Sequence, residues 1–488
     1  MSKLVDYPVS LPTEKITPET DALAIAVAFA PNFASLRSED FDDNAIWRDC
    51  FALTGTLRTF YSASTIAAAW SETSKIVQLG AFSVNQKSCR VINTGHATWL
   101  QAIFPFETSG TPQTSCSAIV ALVPDVKGGW RIWSLRTIIE QLKSQRNVDI
   151  LEPVNLITRS INGIANGATD SIPRLVNGSA GPTHFECVVV GGGQAGLSVG
   201  GRLQALGVNY VVLDKHNEVG DCWKTRYSSA KLHTTREYAH LPFDRTFPPH
   251  YQEWLTKDDL AQGYRDWVSK FGIKVWQKSE LTSGDWDESR KLWNLTVLQD
   301  GEERVISCAQ VILAGGGGGQ VPVMPEYPGR DTFEGVILHS GSYVDAKDWK
   351  GKHGVVIGTA NTGHDVAEDM LGVGLAEVTM VQRSKTYIVP VEYYKKFADT
   401  MYNASFPTDL ADKIGLTEPM AIQDLMSQAG MHAQARQEPE RFDALEKAGF
   451  KTERYGSITH HLYNRMGGHY MDVGASAKIA KGLVSSGH

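Results

Sequence analysis

The stretch FECVVVGGGQAGLSVGG, residues 185–201, constrains the fold more than any other. The apolar run Cys187–Val190 reads as a buried strand, and the residues after the glycines read as a helix, so the chain must turn sharply between the two. Gly191, Gly193 and Gly196 fit the spacing G-x-G-x-x-G. The first glycine permits the tight turn, the second lets the backbone approach a ligand, and the third lets the helix pack closely on the strand. The free N–H groups at the start of the helix, at Gln194 and Ala195, then face an anion. A second apolar strand ends in Asp214, close to the position where an acid can hydrogen-bond a ribose. Strand, glycine turn, helix, strand and acid together imply a dinucleotide site.

A related pattern returns from Lys352 in KHGVVIGTANTGHDVAEDMLGVGLAEVTMVQRS. Gly358, Ala360 and Gly363 keep the spacing with alanine in the middle, and Asn361 opens the next helix. The strand after it ends not in an acid but in Arg383, beside Ser384 and Lys385. A cation there suits a 2′-phosphate, so NADP(H) is expected in preference to NAD(H). Two dinucleotide sites imply one resident and one exchanging cofactor: FAD in the first and NADPH in the second would pass hydride to a flavin.

The expected fold class is α/β, with two Rossmann-like dinucleotide-binding domains preceded by a small α+β cone-like domain. Residues 1–141 carry a helix candidate capped by Thr17, with Pro18 at its first position, and then β-rich runs. These are FALTGTLRTF, SCRVINTGHATWLQAIFPF, and a hairpin about Lys127-Gly128-Gly129. Residues 142–183 have the Gly, Asn, Ser and Pro content of a linker. Residues 184–350 are read as the first part of an FAD-binding domain, and 351–488 as an NADP-binding domain with the start of a return to the FAD domain. A length of 488 residues suits this division.

A net charge of −7 without a basic run argues against nucleic acid as a partner. The six cysteines form no C-x-x-C pair, which disfavours a disulfide reductase. No apolar stretch is long enough to span a bilayer, and the first residues lack a signal-peptide core, so the chain is read as soluble and cytoplasmic. His460, His461 and His469 lack partners at a metal-binding spacing, and no metal is expected.

Between the two glycine turns, FEGVILHSGSY matches F-x-G-x-x-x-H-x-x-x-Y/F through Phe333, Gly335, His339 and Tyr343. In that place the motif resembles the identifying sequence of the flavin-containing (class B) monooxygenases. EVGDCWKTRYSSAKLHT, LPFDRTFP, WLTKDDL, VILAGGGGG, PGRDTF and VTMVQRS are similar to the family as well. The resemblance covers residues 184–488. The first domain resembles the ketosteroid isomerase-like or nuclear transport factor 2-like extension of fungal and bacterial members.

What the resemblance implies is an oxygenation cycle: NADPH reduces FAD, O2 adds to give a flavin C4a-(hydro)peroxide, and a small organic substrate is oxygenated at N, S or C. It also implies that Trp223, Arg226 and His233 lie near the flavin, and that His339 has a structural, cofactor-coupling role. The sequence departs from the family at Thr256 and Lys257, where animal-type members place an asparagine, and at Ala314–Gly319, where ATG is usual. GGHYMDVGASAKIAKGLVSSGH matches only the approach to the family's return strand, so the expectation is either a shortened FAD domain that holds FAD weakly or an FAD site that closes in some other way. A Baeyer–Villiger enzyme is the nearest alternative, although its motif ends in tryptophan or aspartate where Tyr343 stands. From another class, a non-catalytic scaffold would use the first domain to form a homodimer; in the enzyme that domain is read as serving assembly, as a homodimer, or as shielding the substrate entrance.

Overall fold

The computed structural model describes residues 8–154, 183–317 and 321–487. Most of the expected linker, and Gly318 and Gly319 of the glycine run, lie outside the described residues. The chain divides into two compact units: Met1–Arg146 with Ile357–Asn361 and Met380–His488, and Asn147–Val356 with Thr362–Thr379.

In the first unit, β1 (Phe41–Cys50), β2 (Leu57–Tyr61), β3 (Arg90–Asn93), β4 (Thr98–Thr108), β5 (Thr114–Pro124) and β6 (Trp130–Leu142) form one sheet in the order β2-β1-β6-β5-β4-β3. Only β1 and β6 are parallel. Helices Ala22–Phe29 and Ala63–Val77 accompany it. The expected helix start at Thr17 moves to Ala22, because Asp21 Oδ1 accepts from Ala24 N at 3.0 Å. Thr17 is instead occupied in a turn with Thr20. Of the run expected as one strand, FALTGTLRTF, only the part from Leu57 is strand, because the residues directly after Cys50 turn. There the buried Asp49 carboxylate accepts from Leu53 N, Thr54 N and Thr54 Oγ1, which closes a turn between β1 and β2. The hairpin about Lys127–Gly129 forms as expected, with Gly128 at φ +86° and Gly129 at φ +102°.

One side of this sheet is filled by aromatic rings. Phe33 stacks on Phe82 at 4.2 Å, Phe82 on Phe106 at 4.4 Å, and Trp47 on Phe60 at 4.7 Å. The other side is buried too, against helices Thr408–Leu416 and Met420–Gln437 of the same unit. Ile103, Ile119 and Ile138 meet Leu410 and Ile414, while Trp99 and Trp133 meet Ile422 and Met426. That is why SAIVALV in β5 is apolar on every residue but its first instead of alternating. At this packing surface Arg136, 1% exposed, donates to Ile414 O at 2.7 Å and pairs with Glu418 at 3.0 Å.

In the second unit, β7 (His184–Val190), β8 (Tyr210–Leu213), β9 (Val275–Trp276), β10 (Ser279–Asp287), β11 (Leu292–Gln299) and β12 (Glu302–Leu313) form a sheet in the order β10-β11-β12-β7-β8-β9. β12, β7, β8 and β9 are parallel, while β10, β11 and β12 form an antiparallel meander. Helix Lys257–Phe271 starts at Thr256, which exchanges hydrogen bonds with Asp259 in a capping box, and it ends at Gly272 with φ +63°. Its Leu260, Tyr264, Trp267 and Phe271 recur on one face and enter the core. Trp286, by contrast, is half exposed on β10.

The cut between the units passes through β13 (His353–Ile357) and β14 (Glu377–Val381). Back in the first unit, β15 (Tyr387–Pro390) pairs in parallel with β16 (His469–Asp472), and β17 (Ser485–Gly487) follows. Among the described residues no helix is long and apolar enough to cross a membrane.

Arg136→Met should leave the Glu418 carboxylate unpaired and cost about 3 kcal/mol, with much of the loss recovered in Arg136→Met/Glu418→Met. Urea unfolding midpoints of the two variants check this.

Candidate dinucleotide sites

The first glycine turn is built as its spacing requires. Gly191 has φ +114°, and a Cβ there would lie 2.4 Å from Ala314 O; on Gly196 it would lie 1.7 Å from Gly191 O. Neither position has room for a side chain. Around Gly193, which caps helix Gln194–Leu206, an added Cβ meets nothing within 4 Å. Open space therefore stands over the helix start, where Gln194 and Ala195 are exposed. Asp214, 3% exposed, closes the other side of the turn. Its Oδ1 accepts from His216 N at 3.2 Å and faces His216 Nδ1 at 2.8 Å. Its Oδ2 is buried without a hydrogen-bond partner, and a Cβ on Gly192 would come within 2.4 Å of it. A buried carboxylate oxygen without a donor is costly, and this one faces the glycine turn. Gly192 is held against that oxygen, although the motif spacing passes over it.

Trp223 and Arg226 lie together, with the guanidinium 5.4 Å from the Trp223 ring and 5.7 Å from the Tyr227 ring. His233 is buried, with Nε2 3.1 Å from Asp365 Oδ1. Tyr227 Oη donates to Asp365 Oδ2 at 2.6 Å. Burial first, and then the charge of Asp365, hold the Tyr227 phenol far above its ordinary pKa, so it stays a donor. In the motif, the Phe333 ring folds over Gly335, where a Cβ would sit 2.4 Å from it. His339 Nδ1 accepts from Gly341 N at 3.0 Å and so shapes the turn. Tyr343 is buried and donates to Asp369 Oδ2, which also accepts from Ala346 N at 3.1 Å.

The second turn is more open. Gly358 has φ +110°, its N–H donates to Val381 O at 3.0 Å, and an added Cβ meets nothing within 4 Å. Ala360 is half-buried, and Gly363 lies in the first turn of helix Asn361–Gly372. Asn361 Oδ1 accepts from Met471 N at 2.8 Å, so its side chain ties β16 to the turn and leaves only its amide nitrogen for a ligand. At the end of β14, Gln382 and Thr386 are buried and joined at 3.0 Å, which turns the residues between them, Arg383, Ser384 and Lys385, outward. Arg465, which the sequence reading did not single out, reaches the same place, with Nη2 3.4 Å from Ser384 Oγ.

Comparison with known proteins adds relatives to this geometry. Residues 188–405 match the family model described as pyridine nucleotide-disulphide oxidoreductase. The chain is 30% identical over 308 residues to the probable indole-3-pyruvate monooxygenase YUCCA3 of Arabidopsis thaliana, covering 61% of this chain and 65% of that protein. It is 30% identical over 249 residues to YUCCA9 of the same plant, covering 50% and 58%. With the FAD-containing monooxygenase EthA of Mycolicibacterium smegmatis it shares 26% identity over 288 residues, covering 54% and 57%. These curated relatives are named monooxygenases. The chain spans less than two thirds of the length of each. Among solved structures, cyclohexanone monooxygenase from Rhodococcus sp. Phi1 bound to NADP+ aligns with a TM-score of 0.37 at 25% identity, covering 45% of this chain and 44% of that one.

All six cysteines are free. Burial, and then the charge of Asp214, push the Cys222 thiol up to about 11, and burial and its neighbour Cys187 do the same to Cys308. Of the three histidines near the end of the chain, His461 is buried against Tyr387, with Nε2 3.2 Å from Glu453 Oε2. Among the described residues no group of three metal-ligating side chains forms.

Gly196→Ala should cost on the order of 3 kcal/mol because its methyl group has nowhere to go. Gly193→Ala, at φ −81°, should melt with the wild type. Thermal unfolding of the two variants side by side checks the contrast.

Proposed function

We propose that this chain is a flavin-dependent monooxygenase that holds FAD on the turn Gly191–Gly196 and NADPH on the turn Gly358–Gly363. The observation that carries the reading is Asp214 Oδ2, a buried acceptor without a donor at the end of β8, facing a glycine turn with open space over a helix start. A ribose hydroxyl donating to that oxygen removes its desolvation cost, and a pyrophosphate fits the space above Gly193. Bound there, FAD supplies the hydride acceptor and the oxygen-activating ring. Trp223, Arg226 and His233 line the flavin segment by their match to the family.

On the NADPH side, Arg383 and Arg465 supply positive charge, and Ser384 a hydroxyl, to a 2′-phosphate. Neither arginine has an ion-pair partner among the described residues, so both charges are available for a dianion. The relatives named for indole-3-pyruvate favour a small organic substrate with O2 as co-substrate, and Tyr343 at the end of the motif favours this reading over a Baeyer–Villiger enzyme. The cone-like domain is of the type that extends fungal and bacterial members. Its role here is to hold the helices inserted between β15 and β16, which pack on one face of its sheet. A cytoplasmic location goes with this chemistry and its NADPH supply.

The purified chain should be yellow, or become so with added FAD, and should oxidise NADPH in air. A colourless protein that FAD does not restore overturns the reading. Arg383→Ala and Arg465→Ala should each raise the NADPH KM about tenfold through loss of a charge-assisted contact, while sparing NADH. Equal loss with both nucleotides overturns the 2′-phosphate assignment.

A further inference from the structure

Helix Asn361–Gly372 carries Asp365 and Asp369 one turn apart, on one face. Neither acid belongs to a glycine fingerprint, and a carboxylate is a poor filling for the buried side of a helix. Each is satisfied by a tyrosine from a different part of the second unit. Asp365, 4% exposed, gives Oδ2 to Tyr227 Oη at 2.6 Å and Oδ1 to His233 Nε2 at 3.1 Å. Asp369 gives a single oxygen, Oδ2, to both Tyr343 Oη and Ala346 N. The two tyrosine rings approach within 6.4 Å of each other. Tyr227 and His233 stand in the segment that follows Asp214, and Tyr343 is the last residue of the Phe333–Tyr343 motif.

We propose that Asp365 and Asp369 are positioning residues: Asp365 fixes the flavin segment through Tyr227 and His233, and Asp369 fixes the Phe333–Tyr343 motif through Tyr343. The proposal rests on the reading of Gly191–Asp214 as an FAD site. It gives the helix behind the second glycine turn a task in the first site, independent of any contact with a nucleotide. Hydrogen bonds are directional, so the bonds from Tyr227 and His233 to Asp365, and from Tyr343 and Ala346 to Asp369, hold these segments in one arrangement.

The two acids differ in how a neutral replacement would behave. Asp365 serves two donors with two different oxygens, so Asp365→Asn leaves one acceptor for both and sets an amide against the other. Asp369 serves both donors with one oxygen, so in Asp369→Asn the side-chain carbonyl can replace it. Full-length apoprotein titrated with FAD, followed by quenching of flavin fluorescence, tests the first half. Asp365→Asn and Tyr227→Phe should each weaken FAD binding by about threefold or more, the loss of one or two hydrogen bonds. A smaller change in the folded variants overturns the role of Asp365. If Asp365→Asn does not fold, Tyr227→Phe decides alone by the same criterion. A merely structural role would lower the melting temperature and leave the FAD affinity of the folded protein unchanged.

Hydrogen exchange of the apoprotein tests the second half. Tyr343→Phe should speed amide exchange across residues 334–346 by about threefold or more, and Asp369→Asn should change it less. Unchanged exchange in Tyr343→Phe overturns the role of Asp369. A wild-type chain that does not bind FAD overturns the proposed function and this inference with it, whereas a wild type that binds and variants that bind equally well overturn the inference alone.

Discussion

The carbonyl of Gly191 and the α-carbon of Gly196 lie so close that a methyl group between them has no room. This approach brings the start of helix Gln194–Leu206 onto the end of β7 and leaves the space over Gly193 open. It also places Asp214, directly after the neighbouring strand β8, against the loop rather than in solvent. A larger residue at either glycine would push the helix away and give the donor-less Asp214 oxygen to water. The features of the first site follow from this one backbone contact.

A different constraint governs the first unit. Its sheet is covered on both sides, by aromatic rings on one and by helices inserted between β15 and β16 on the other. A sheet buried twice cannot alternate polar and apolar residues, and it must place any charge it carries opposite a partner. Arg136 against Glu418 and Lys413 against Glu140 meet that requirement. Desolvation offsets much of the attraction of the Arg136–Glu418 pair, so its net contribution to stability is small although breaking it is costly.

Features set by local geometry were legible in the sequence. The glycine spacing, the acid after the second strand, the hairpin at Lys127–Gly129 and the outward cation at Arg383 each depend on a few neighbouring residues. The run FALTGTLRTF misled because its break depends on Asp49 bonding forward to Leu53 and Thr54, a side-chain effect invisible to alternation. The helix start at Asp21 was obscured by an equally good cap at Thr17. Asp365, Asp369 and Arg465 were missed because their partners are far away in the chain. Two acids four residues apart on a helix, next to apolar Val366 and Met370, were the one available signal, and that spacing is as common on solvated faces.

The parallel pairing of β15 with β16 has a kinetic consequence. Ser384 meets Arg465 across 81 positions of chain, and Asn361 meets Met471 across 110. Contacts of such separation form only after the intervening helices have packed, since closing the loop costs entropy before any contact repays it. The first turn, whose elements follow one another directly, can take shape early. The second carries the larger closure cost, and the packing of helices Thr408–Leu416 and Met420–Gln437 on the β1–β6 sheet shortens the span of free chain left to close.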